Sequence, residues 1–362
     1  MKIKAAVCRE FGAPLSIEEV SLAEPLAGEV RVTIKACAIC HSDITYADGG
    51  WGGELPMVLG HEAAGIVESV GSGVTACKVG DRVVVTLIRA CGGCHWCSVG
   101  DGYLCEASYP RDEQPAIIAD NNQALVQGMR TGAFAQAVVI DQSQLVVVPD
   151  TVGFDVASLL ACGVITGVGA VTNTVRMPSG SHAVVVGCGG VGLNTIQGAH
   201  IAGAASITAV DLLQSKLDIA LGFGATHSVN PSQADVLSTV HGISNGRGAD
   251  YVFVTVGAKR AIEDAVTWLA KKGTVVIVGM PPSDVTTDFN PSNLAAYGQS
   301  IIGSKMGSAH IRRDIPWLVS LYQQGTLKLD EMISQRYALE NINDAIASTK
   351  SGSAMRNVVI FD

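Results

Sequence analysis

At 362 residues, 48% apolar and 16% charged, the chain has core-forming side chains for two domains of ordinary size, which excludes a disordered polymer. A formal net charge of −9 excludes recognition of a nucleic-acid backbone, because nothing here neutralises a run of phosphates. Mean hydropathy is +0.33, yet the most apolar stretch, residues 157–171, is broken by Ser158, Thr166 and three glycines and reads as too short to cross a bilayer.

The N-terminal residues MKIKAAVCREFG carry charges where a secretion signal needs an apolar stretch, so the expectation is a cytoplasmic protein with no membrane partner. In residues 29–39, Val30, Val32 and Ile34 alternate with Arg31, Thr33 and Lys35, the period of a half-buried strand. Residues 64–71 and 81–88 look similar, with Gly-Ser-Gly and Val-Gly-Asp turns between them, and together they predict a β-rich first domain. Within this part stand Cys40-His41-Ser42-Asp43 and Gly60-His61-Glu62, with Cys162 further on. Each has a bland reading alone, since buried cysteines pack as small hydrophobes and a lone histidine is more often hydrogen-bonded than metallated.

Ten cysteines without a secretion signal suggest a reducing compartment, where clustered thiols are more often metal ligands than disulfides. Four lie within fifteen residues: Cys91, Cys94, Cys97 and Cys105. Tetrahedral zinc needs four soft ligands at ~2.3 Å, and C-x-x-C steps bring neighbouring sulfurs to one centre. With all four positions filled by protein, such a site is structural. A redox dithiol needs only two of these residues, and an iron–sulfur cluster usually comes with an electron-transfer context.

Near Pro149-Asp150 the texture changes. An apolar run at 182–187 leads into a helix to about residue 203, then a second run follows at 206–211. Further runs occur at 250–257, 274–279 and 300–304, with a helix predicted over 261–273. Strands alternating with helices predict βαβ units and a parallel sheet covered on both faces. A helix over 313–325 and a strand from Arg356 follow, expected to return to the first domain.

Gly187-Cys188-Gly189-Gly190-Val191-Gly192 fits G-x-G-x-x-G between a predicted strand and helix, with Asp211 ending the next strand. The glycines permit a tight turn and close approach of a pyrophosphate to the helix N-terminus. The bland alternative is a Gly-rich turn without a ligand. Asp211 can accept from both ribose hydroxyls and repels a 2′-phosphate, and no arginine closely follows, so the reading is NAD over NADP. Lys216 stands where it can flank that ribose or simply face solvent.

Taken together, these motifs resemble the zinc-containing medium-chain alcohol dehydrogenases over nearly the whole chain. The resemblance implies an α/β protein: a GroES-like β-barrel catalytic domain, 1–163 and 306–362, and a doubly wound Rossmann-type NAD-binding domain, 164–305. It implies two zinc ions per subunit. Cys40, His61 and Cys162 match the catalytic set with one open position, Glu62 an outer or alternative ligand, and Asp43 the carboxylate that orients His61. The loop of Cys91, Cys94, Cys97 and Cys105 matches the structural set. Ser42 matches the hydroxyl that relays the alcohol proton, Thr166 and Val191 residues that press on the nicotinamide, and His41 and Arg356 positions that contact the pyrophosphate.

Some positions depart from the family. Thr45 stands where relatives end the relay in histidine, and His41 where many have arginine. Trp51 and Tyr109 replace the acidic residue and arginine of the glutathione-adduct branch, although Arg111 is near. By position, Trp51, Leu87, Pro110, Phe134 and Met280 line an apolar pocket suited to a medium-sized aliphatic or aromatic alcohol. The segment from Cys105 to Phe134 is retained as in the dimeric branch, implying a homodimer through a sheet edge near residues 300–306. Alternatives are a nicotinoprotein that keeps NAD bound, an S-(hydroxymethyl)glutathione dehydrogenase, and a non-catalytic relative, which would have no physical reason to retain Cys40, His61, Cys162 and Ser42 together. A metal-free quinone reductase needs neither cysteine set.

Overall fold

The computed structural model describes residues 1–352 and 354–362 and divides into two compact units, Met1–Gly163 with His310–Asp362, and Val164–Ala309. In the first unit the alternating segment forms the strand Glu29–Ala38, whose burial alternates along the middle of its length. It is the hub of a seven-stranded sheet, pairing antiparallel with Glu62–Val70, Ala137–Asp141 and the C-terminal strand Arg356–Ile360. A closed barrel of short strands stands beside it: Lys2–Cys8, Ser16–Leu22, Ile117–Ala119, Ala124–Gln127 and Met57–Val58. Val30, Val32, Ile34, Val83, Val85 and Val138 meet in the apolar core of this unit. Each such burial contributes roughly 1.5–3 kcal/mol before ordering costs.

The second unit holds a six-stranded parallel sheet. Its strands, numbered as they come in the chain (His182–Val186, Ser206–Val210, His227–Val229, Ala249–Val254, Leu269–Ile277, Ser300–Gly303), lie in the spatial order 3-2-1-4-5-6. This is the Rossmann order, whose crevice at the reversal point binds dinucleotides. Ser206–Val210 is buried at every residue, the mark of a strand covered on both faces.

Two expectations are corrected. The helix predicted over 261–273 ends at Thr267, and Leu269–Ile277 is a strand. Two steps from Ala249 to Tyr251 match five from Leu269 to Thr274 on its partner, so an irregularity absorbs the exposed Lys271 and Lys272. Sheet pairing overrides the helical pattern there. The apolar stretch read as too short for a bilayer belongs to a helical run, Phe154–Thr174, long and apolar enough to cross one. Its most apolar window is 89% buried, so it is a core helix.

Candidate active site

The helix His41–Ala47 starts immediately after Cys40, with Asp43 in its first turn. Asp43 is 1% exposed, and its two oxygens do three jobs. Oδ2 accepts from the Cys40 amide at 3.1 Å; Oδ1 accepts from the Gly60 amide at 2.9 Å and pairs with His61 Nδ1 at 3.1 Å. One buried carboxylate thus ties the helix start to the start of the strand Glu62–Val70. Cys162 arrives from a π-type turn, Leu160–Val164, within the long apolar helix, a distortion that recurs at functional sites.

These elements bring Cys40, His61, Glu62 and Cys162 together, with their ligand atoms within 4.8 Å of one another and all four residues buried. His61 Nε2 and Glu62 Oε2 have no hydrogen-bond partner. With Nδ1 donating to Asp43, the His61 lone pair on Nε2 faces the cluster. The neighbouring Cys162 thiol holds the Cys40 pKa well below the usual thiol value, while Cys40 and burial push that of Cys162 well above it. Burial lifts the Glu62 carboxyl to about 8 against the pull of Arg356. Fully deprotonated, Cys40, Cys162, Glu62 and Asp43 would set four buried negative charges beside the Arg356 guanidinium, a balance that a bound divalent cation would improve. The donor set, two sulfurs with an imidazole, fits zinc. Ser42 Oγ lies 3.6 Å from Cys40 Sγ, and Thr45 Oγ1 is turned back to the His41 carbonyl at 3.0 Å.

Arg356 is 5% exposed and lies under this cluster, donating to Glu62 Oε1 at 2.9 Å and to the Ile39 carbonyl at 3.2 Å. A Cβ at Gly163 would sit 1.6 Å from Arg356 Nη2, so a larger residue there would have to push the guanidinium away from its place beside Glu62. Neither the ion pair nor the role of Gly163 was read from the sequence. The only signal was the Cys162-Gly163 dipeptide.

The second cluster forms in a loop. Cys91, Cys94, Cys97 and Cys105 also place their sulfurs within 4.8 Å, with Cys91–Cys97 at 4.0 Å and Cys94–Cys105 at 3.9 Å, far beyond a disulfide bond. Backbone N–H groups of Gly93 and Cys94 donate to Cys91 Sγ at 3.4 and 3.2 Å. Amides of Cys97 and Glu106 bring the Cys94 thiol down to about 6.

In the second unit, Gly187 has φ +90°, and a Cβ on it would lie 2.4 Å from Val256, while one on Gly192 would lie 1.8 Å from the Gly187 carbonyl. A Cβ on Gly189 would meet nothing within 4 Å. The outer glycines serve packing; the middle one leaves open space at the start of the helix Gly190–Ile201. Asp211 Oδ2 accepts from the Cys188 amide at 2.8 Å and Oδ1 from the Leu213 amide at 3.0 Å, fixing the carboxylate beside that loop. Lys216, on Gln214–Gly222, is half-buried. Thr166 is buried with Oγ1 3.8 Å from Met306 Sδ, on a helix that packs against Val191, where a Cβ at Gly167 would be 2.5 Å from the Val191 carbonyl.

The proposed pocket residues and His41 differ in exposure. Trp51 stacks edge-on to Tyr46 at 5.0 Å, Leu87 is half-buried, Pro110 and His41 are exposed, and Met280 is 63% exposed. Phe134 is corrected: at 0% exposure it is a core residue and no pocket wall. A Cβ at Gly60 would touch its backbone at 2.5 Å, so Phe134 backs the turn that delivers His61.

Known families agree with this geometry. The model of the alcohol dehydrogenase GroES-like domain matches residues 26–150, and that of the zinc-binding dehydrogenases matches 190–324. The chain is 36% identical to the NDMA-dependent alcohol dehydrogenase of Amycolatopsis methanolica over 99% of both chains. It is 34% identical to the S-(hydroxymethyl)glutathione dehydrogenase of Paracoccus denitrificans over 100% of both. The solved benzyl alcohol dehydrogenase of Acinetobacter calcoaceticus is similar over 100% of both chains, with TM-score 0.93 and 30% identity.

Proposed function

The chain belongs to the zinc-containing alcohol dehydrogenases, and from that premise we propose that it transfers a hydride between an alcohol and NAD. The observation that carries the reading is the buried set of two thiols, a carboxylate and a His61 Nε2 without a partner. Zinc held by Cys40, His61 and Cys162 would supply the Lewis acidity that lowers the pKa of an alcohol hydroxyl. Asp43 holds His61 and the Cys40 amide in place, and Arg356 pairs with Glu62 Oε1, favouring its ionised form against the effect of burial. The Ser42 hydroxyl takes the departing proton outward; Thr45, behind it, is no base near neutral pH. Gly189 leaves room for a pyrophosphate, and Asp211 accepts from the ribose hydroxyls. Cys91, Cys94, Cys97 and Cys105 would hold a second zinc in a structural role, since four protein ligands leave no position for substrate.

An apolar substrate pocket around Trp51 and Leu87 suits a medium-sized aliphatic or aromatic alcohol, a reading supported by the similarity to benzyl alcohol dehydrogenase. A glutathione adduct is disfavoured. Arg111, a candidate for its carboxylates, donates to both oxygens of Glu29 at 3.0 Å and to the Glu24 carbonyl at 2.7 Å. The edge strand Ser300–Gly303, with half-exposed Ile301 and Ile302, is the proposed dimer contact in a cytoplasmic enzyme.

The test is turnover of primary, secondary and aromatic alcohols with NAD and NADP. NAD is expected to be preferred, and Asp211→Gly to narrow the gap by about tenfold or more, chiefly through KM for NAD. A wild type that uses NADP equally well rejects the role given to Asp211. Similarity to the NDMA-dependent enzyme favours a second reading, in which NAD stays bound and an external acceptor reoxidises it. Absorbance of the purified protein in the NADH band separates the two.

A further inference from the structure

The four-cysteine loop is poorly supported by its surroundings. Cys91 is exposed, Cys94 and Cys97 are half-buried, and among the described residues no disulfide staples it. Something other than apolar packing has to hold its two ends together. Two residues before Cys91 stands Arg89, only 6% exposed. Its Nη2 donates to both Asp112 oxygens, at 2.9 and 2.8 Å, and its guanidinium carbon lies 3.8 Å from the centre of the Tyr109 ring. Tyr109 and Asp112 lie just beyond Cys105, at the other end of the loop. Asp112 Oδ2 also accepts from the Tyr109 amide at 2.9 Å, which fixes the ring and the carboxylate to each other. The Ala90 amide donates to Ser143 Oγ at 3.0 Å, holding the entering chain in place.

We propose that Arg89, gripped between the Tyr109 ring and Asp112, is a positioning residue that closes the four-cysteine loop for its metal. The grip sets the entering chain against the leaving chain at the point where the Cys91 amide reaches Cys105 Sγ at 3.3 Å. Ends already held together remove loop-closure entropy that metal binding would otherwise have to overcome. The pairing is specific to arginine: a planar guanidinium stacks on a ring while its edge donates to a carboxylate, and an ammonium does neither as well. The guanidinium lies over the face of the Tyr109 ring, so the ring is the working part.

The proposal rests on the reading that this loop holds zinc, and the experiment keeps the two apart. Zinc release from the holoenzyme to a chromogenic chelator is followed in time, and the phase belonging to the loop is identified as the one missing in Cys97→Ser. Arg89→Met is expected to speed that phase by about tenfold or more, the scale of losses when an outer support of a metal site is removed, with the slow phase of the buried cluster unchanged. Arg89→Lys should fall between. Tyr109→Phe should release zinc like the wild type and Tyr109→Leu should release it faster. An unchanged loop phase in Arg89→Met, or both phases quickening together, overturns the clamp. If Arg89→Met does not fold, the tyrosine pair decides, and equal release from Phe and Leu variants overturns it. A wild type with no loop zinc overturns the metal reading and the clamp with it.

Discussion

Cys91, Cys94, Cys97 and Cys105 come from fifteen consecutive residues near the surface, whereas Cys40, His61, Glu62 and Cys162 are gathered from distant positions into the interior. In the loop, C-x-x-C spacing and the loop's own N–H groups place and stabilise the sulfurs. In the interior nothing local does this. A buried carboxylate orients His61, a core phenylalanine backs the turn before it, and a buried arginine balances Glu62. A local site can be assembled by a short chain. A dispersed one exists only once the fold does, and its charges are costly unless balanced.

Replacing one cysteine in each cluster gives the widest separation. Cys162→Ser is expected to cut alcohol turnover by about a thousandfold or more while leaving the protein folded. Cys97→Ser should keep most of the turnover but lose one zinc and lower Tm by roughly 5–10 °C. Metal analysis, circular dichroism and steady-state rates on both variants check this. Equal losses of activity would erase the distinction between the clusters.

The interior cluster should also be sensitive at the ion pair beside Cys40, His61 and Cys162. Arg356→Met leaves Glu62 buried and unpaired, at a cost of about 3–5 kcal/mol in urea unfolding. Adding Glu62→Gln should recover most of that loss, and a double variant no better than Arg356→Met would show that the pair is not the source.

The smallest effects concern the way out of the site. Ser42→Ala should lower turnover by about a hundredfold. Thr45→Ala should do little, since its hydroxyl is turned to the His41 carbonyl. Thr45→His should raise alcohol oxidation a few-fold below about pH 7, where a group of pKa ~6.5 can take the proton. Turnover against pH with one good alcohol measures all three, and near-normal activity in Ser42→Ala removes the relay.

The sequence by itself determined whatever depends on spacing along the chain. The cysteine loop, the Gly187–Gly192 turn with Asp211 beyond it, the alternation in Glu29–Ala38 and the unbroken apolar run in Ser206–Val210 follow from local geometry, because neighbours in sequence remain neighbours in space. Only the tertiary structure decided the rest. It put Arg356 beneath Glu62, sent Phe134 into the core, and turned residues 269–273 from predicted helix to strand, and it gave Arg89 a grip on Tyr109 and Asp112. In each case a partner far along the chain outweighs local preference. Burial, charge balance and strand pairing are properties of the assembled fold, and no pattern of neighbouring residues encodes them.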